Sequence, residues 1–166
     1  DLDVTWTVAN NGSVDLALHA QRNTVFPELP RFGLRLFLPQ EMSQVNYYGM
    51  GPMECYRDKH HAASHSSYTA TVWQLHEDYI RPQENGSHFD CDYVMLAGDA
   101  VRLTAVGTQP FSFNASHYTQ EELTRKAHNY ELEPCGSTVL CLDYAQNGIG
   151  SESCGPRLLE QYRLDD

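Results

Sequence analysis

The sequence predicts an all-β protein, an antiparallel sandwich. Short runs in which apolar and polar residues alternate give each strand one face to bury. Gly, Asn and Pro turn signals separate those runs. Ten Tyr and six Phe tilt the composition towards β-structure or a binding surface. The 166 residues are 41% hydrophobic and 20% charged, enough apolar surface to offset the entropy of ordering one domain. No repeat, low-complexity tract or linker interrupts the chain, so a single domain over 1–166 is expected.

Strands come first. Residues 3–8 (DVTWTV) alternate, Asn10-Asn11-Gly12 supplies residues that tolerate positive φ, and Val14 to Leu18 reads as the partner of a hairpin. The chain opens within a strand, so the true domain is expected to start upstream of Asp1. Leu34, Leu36 and Leu38 alternate again and Pro39 ends the run. Residues 45–48 lead into Gly49-Met50-Gly51-Pro52, read as irregular. Residues 53–90 have little period and are read as long loops with short strands, with a turn at Glu84-Asn85-Gly86. Strands are predicted at 89–96, 101–106 and 138–144, with a last one at 158–164. One helix is predicted after Thr119, where Thr119-Gln120-Glu121-Glu122 matches a capping box.

The net charge of −11 disfavours phosphate backbones and anionic membrane surfaces as partners, while neutral sugars are compatible with it. No run approaches the roughly 18–20 apolar residues of a transmembrane helix. The acidic, alternating start does not resemble a signal peptide. Five Cys at irregular spacing (Cys55, Cys91, Cys135, Cys141, Cys154) argue against a disulfide framework and for a reducing compartment; a cytoplasmic location is expected. Three glycosylation-type triplets begin at Asn11, Asn85 and Asn114 and are read as incidental.

Several motifs invite chemistry. His60, His61 and His65 would share a metal if His61 and His65 lay one turn apart on a helix, but no Glu follows His61, and a solvated loop is the plainer reading. Glu41, Glu54, Glu77, Asp78, Glu84, Asp90, Asp92, Asp143 and Glu152 could furnish a glycosidase pair, yet none is singled out by spacing. Gly148-Ile149-Gly150 lacks the remainder of a phosphate loop and reads as a tight turn. Cys154 has Glu152 nearby, which disfavours a thiolate. The residues alone therefore lead to an acidic β-sandwich with a loop-rich middle.

Four segments add to this. Residues 47–56 (YYGMGPMECY), with Arg57-Asp58 and Ala62-Ala63, residues 79–86 (YIRPQENG), residues 111–119 (FSFNASHYT) and residues 147–156 (NGIGSESCGP) occur in one order. Together they resemble the last domain of the large β-galactosidases of glycoside hydrolase family 2. The resemblance implies an antiparallel super-sandwich similar to the galactose-mutarotase fold. It implies a parent enzyme that hydrolyses terminal β-D-galactosides such as lactose with retention, on two Glu residues of a separate barrel. No catalytic residue is expected in this chain. Magnesium and a monovalent cation are expected as cofactors of the barrel, none in this chain. Expected partners are the remaining domains or a large subunit of the enzyme, with a galactoside substrate and an oligomeric parent. The final loop is expected to border the aglycone site through Ser151, Glu152 and Cys154. Cys154 stands where some members carry an aromatic ring that stacks on the leaving sugar, and the loop is one residue shorter. Two other readings stay open. One is a stand-alone sugar-binding module using Tyr47, Tyr48, Tyr56, Tyr68 and Tyr79 as platforms. The other is an aldose mutarotase using Glu54 and His128 as acid and base.

Overall fold

The computed structural model describes residues 1–23, 25, 29–149 and 158–164. Asp1–Leu29 belongs to one compact unit and Pro30–Leu164 to another. Regular structure in both is almost wholly antiparallel β, as the alternation predicts.

The first unit is a hairpin of β1 (Leu2–Val8) and β2 (Val14–Ala20), in register from Leu2 opposite Ala20 to Val8 opposite Val14. Gly12 takes φ +90° in the turn, and Asn11 Oδ1 accepts from the Ser13 amide and hydroxyl, so the Asn-Gly signal does what it forecasts. Period two places Leu2, Val4, Trp6 and Val8 on one face with Val14, Leu16, Leu18 and Ala20 opposite them. Of these, Leu2, Val4, Trp6, Val8, Val14 and Leu18 are between 38% and 75% exposed.

The second unit is a six-stranded sheet in the order β3-β8-β7-β6-β4-β5, every pairing antiparallel. Its strands are β3 (Arg31–Pro39), β4 (Gln44–Gly51), β5 (Ser64–Thr71), β6 (Ser87–Ala97), β7 (Arg102–Ser116) and β8 (Ser137–Gln146). One face carries the core, in which Val45, Tyr47, Val94, Leu96, Phe113, Ala115 and Leu140 are buried. Met42 and the 3₁₀ turn Val72–Leu75, through Val72 and Leu75, join that core. Each fully buried aliphatic side chain here contributes about 1.5–3 kcal/mol. On the opposite face α1 (Gln120–Arg125) reaches β3 and β8: Arg35 pairs with Glu121 at 2.8 Å, and Gln120 Nε2 meets Cys141 Sγ at 3.2 Å.

Three local expectations are corrected. Residues 49–51 are strand, not irregular, because glycine lets β4 lie tightly against its neighbours. A Cβ on Gly49 would stand 2.3 Å from Cys91 Sγ, and one on Gly51 would stand 2.2 Å from the Tyr47 hydroxyl. Residues 64–71 form a full strand although their Ser/Tyr/Thr sequence has no apolar alternation; β5 is the sheet edge, pairs only with β4, and needs to bury little. Residues 158–164 are not a strand but hold a 3₁₀ turn, Glu160–Tyr162. Thr119 does cap α1, accepting from the Glu122 amide. Glu122 itself turns away from the box to Arg125, to Lys126 and to the Glu133 amide at 3.0 Å.

Candidate functional site: motif loops at one end of the sheet

The loops after β4 (residues 52–63), before β6 (residues 76–86) and after β8 (residues 147–149) gather where β4 and β8 end and β3 and β6 begin. Glu54 is the hub. Its side chain is only 6% exposed and takes four donors: the Tyr79 hydroxyl, Lys59 Nζ at 3.0 Å, the Gly86 amide at 2.8 Å and the Tyr56 hydroxyl at 3.4 Å. Burial alone would raise its pKa. The Tyr79 hydroxyl, the Gly86 N–H and Lys59 outweigh that and hold it below the usual carboxylate value. Gly86 takes φ +69° with its Cα beside the Leu75 carbonyl, so no side chain fits there.

The second and third motifs join through Asn85 and Asn114. Asn85 Oδ1 accepts from the Glu77 amide at 3.0 Å, and Asn114 Nδ2 donates to the Asn85 carbonyl. The Cys55 amide donates to the Ser87 carbonyl at 2.8 Å, tying the first motif to the start of β6.

The roots of the final loop are held by Arg57 and Asp58. Arg57 Nη1 donates to the Arg163 carbonyl at 3.1 Å. The Asp58 carboxylate lies so close to Gly148 that a Cβ there would be 2.1 Å from its Cγ. Asn147 donates through its amide to the Pro30 carbonyl at 2.8 Å and accepts from the Leu164 amide through Oδ1. Ser151, Glu152 and Cys154 lie outside the described residues.

A partly buried charge cluster underlies the site. Arg31 grips Asp143 with Nε at 3.0 Å and Nη2 at 2.5 Å, and reaches Glu84 with Nη1 at 3.1 Å. Burial opposes the charge on Arg31, but Asp143 and Glu84 prevail and its pKa is raised. No spacing in the sequence marks this trio, because its members lie on β3, on β8 and in the loop before β6.

The remaining candidates separate. His61 and His65 are not on a helix: His60 and His61 stack in a turn, and His65, on β5, meets the Asp90 carbonyl at 3.0 Å. Among the described residues no three His, Cys, Asp or Glu side chains gather to hold a metal. Cys55, Cys91, Cys135 and Cys141 are free thiols. Tyr47 and Tyr56 are core residues and supply no sugar platform. Glu54 is engaged as above, while His128 pairs with Glu131 at 3.5 Å, so the mutarotase pair is not assembled by these contacts. Among the described residues no helix is long and apolar enough to cross a membrane.

The chain matches the family described as "Beta galactosidase small chain" over residues 1–166. It is 49% identical over 163 residues to a beta-galactosidase of Actinobacillus pleuropneumoniae, covering 98% of this chain and 16% of that protein. It is 44% identical to one of Staphylococcus xylosus with the same coverage. It is 35% identical to one of Arthrobacter sp. (strain B7), covering 91% of this chain and 15% of that protein. The chain thus spans about one sixth of the length of these relatives. The convergence of the first three motifs with the root of the fourth, residues 147–149, and this similarity agree: the chain belongs to the beta-galactosidase small-chain family.

Proposed function

We propose that this chain completes a β-galactosidase, serving as its terminal β-sandwich and as one wall of the aglycone site. The observation that carries this reading is the hairpin: eight apolar residues share one face, and six of them are substantially exposed. An apolar sheet face in contact with water is a surface built to meet more protein. The remaining domains or large subunit of the enzyme are that partner. Hydrolysis of terminal β-D-galactosides, lactose among them, then proceeds with retention on two Glu residues outside this chain. Magnesium and a monovalent cation belong with those residues. The carboxylates Glu54, Glu84 and Asp143 are all committed to ion pairs, which suits a framework role.

Arg57 and Asp58 anchor the roots of the final loop, and from there Ser151, Glu152 and Cys154 border the leaving sugar. The test is hydrolysis of a chromogenic β-galactoside by the chain alone and after mixing with the rest of the enzyme. Activity restored only on mixing is the expected result; activity of the chain alone overturns the assignment. Within the assembled enzyme, C154W is expected to change the affinity for glucose as an acceptor of galactosyl transfer, since a flat ring stacks on a pyranose. Unchanged acceptor affinity would remove the loop from the aglycone site.

A further inference from the structure

The 3₁₀ turn Val72–Leu75 turns Trp73 outward. Val72 and Leu75 are buried, and Thr71 and Gln74 close a capping box at 2.8 and 3.2 Å, so both ends of the turn are clamped. The Trp73 ring is nevertheless 50% exposed. It rests against the ring of buried His117 at 4.6 Å, and Tyr118 makes a T-shaped contact with it at 5.9 Å. Tyr118 in turn meets His76 at 5.0 Å. His76 Nε2 lies 3.3 Å from Asn129 Oδ1 and 3.5 Å from Asp78 Oδ1, and Asn129 Nδ2 donates to that same Asp78 oxygen at 2.9 Å. Asp78 is otherwise open to solvent, its side chain 80% exposed.

A fixed, half-open indole is thus linked through the Tyr118 ring to His76, whose imidazole, the Asn129 amide and the Asp78 carboxylate hold one another in place. We propose that this is a binding surface for a neutral pyranoside, with Trp73 under the C–H face of the sugar and Asp78 accepting from its hydroxyls. Sugars are both apolar on one face and rich in donors at the rim, and this surface offers a counterpart to each. An anion would meet Asp78 and a chain of net charge −11. A cation would call for ring faces on several sides, which the T-shaped Trp73–Tyr118 pair does not provide. Because the platform is already ordered, little side-chain entropy opposes binding. The proposal extends sugar handling to this surface and does not depend on the reading of the final loop; restored hydrolysis and sugar binding at Trp73 are separate readouts.

The test uses the full chain with 5-fluorotryptophan at its two Trp positions, followed by fluorine NMR during titration with methyl β-D-galactopyranoside to about 100 mM, the range in which a shallow site with one stacking ring saturates. W73F identifies the Trp73 resonance, and Trp6 is the internal reference. A saturable shift at Trp73 alone is expected, weakened about tenfold or more by D78A, the size of one hydrogen bond to a charged group. D78A alters an exposed side chain, so the variant retains the fold. A shift that does not saturate, equal shifts at Trp6 and Trp73, or full affinity in D78A overturns the proposal. So does loss of the sugar response once the remaining part of the enzyme is bound, which would make Trp73 a protein contact.

Discussion

Glu54→Gln probes the hub of the site with the least change of shape. The carboxylate takes the Tyr79 hydroxyl and Lys59 on one oxygen and the Gly86 amide on the other. Glutamine keeps one acceptor oxygen and turns an NH₂ group towards the other donors. Hydrogen bonds to a buried charge are worth about 1.5–3 kcal/mol each, and Lys59 is half exposed and counts for less. Losing one such bond and setting donor against donor costs about 3 kcal/mol, which for a chain of this size lowers the melting temperature by roughly 6–12 °C. Urea and thermal unfolding followed by circular dichroism measure this. The exposed Glu41→Gln should change stability by less than about 0.5 kcal/mol, and Lys59→Met by less than about 1 kcal/mol. The acid limb adds a second check. The folded-state pKa of Glu54 is lowered, so its stabilisation is present above the ordinary carboxylate value and is lost as pH falls through the lowered one. The gap between wild type and E54Q should therefore close in acid. If E54Q unfolds like the wild type at neutral pH, or if K59M costs as much as E54Q, the hub is not what joins the two loops.

His88 is buried against Tyr47 and Phe113, and burial pushes its pKa down to about 4. Its neutral form stabilises the fold fully above the unfolded value near 6.5, and that stability drains away between there and pH 4. Some 1.5 pH units of this window lie above pH 5, so the chain should lose about 2 kcal/mol between pH 7 and 5, and H88Q should flatten that slope in pH-dependent urea unfolding. Arg31→Met strands Asp143, which is 3% exposed, together with Glu84, and should cost roughly 3–5 kcal/mol. Arg35→Met, at an exposed pair with Glu121, should cost under about 1 kcal/mol by the same unfolding assay, and equal losses in the two variants would contradict the burial argument.

What could be read from the sequence was whatever depends on neighbours along the chain. The alternation in residues 3–8 and 34–38, the Asn-Gly turn at Gly12, the Glu-Asn-Gly turn at Gly86 and the Thr119 cap are local chemistry, and each appears in the fold. The four motifs were visible as strings, and the resemblance they carried matches the family the chain belongs to. Their adjacency was not visible. Glu54 meets Gly86 across 32 positions, and Arg31 meets Asp143 across 112, distances over which no periodicity operates. The edge strand β5 was hidden because one-sided pairing asks for no apolar pattern, and Gly49 and Gly51 read as breakers because only β6 and the Tyr47 ring show why a side chain is excluded there. Trp73 was passed over in the sequence for a similar reason. A lone aromatic next to apolar residues looks like core, and only the burial of Val72 and Leu75 on the other side of the turn leaves its ring facing water. Strand period, turn and cap are set by backbone stereochemistry within a few residues; the hub, the charge cluster and the outward Trp are set by which strands the fold places side by side.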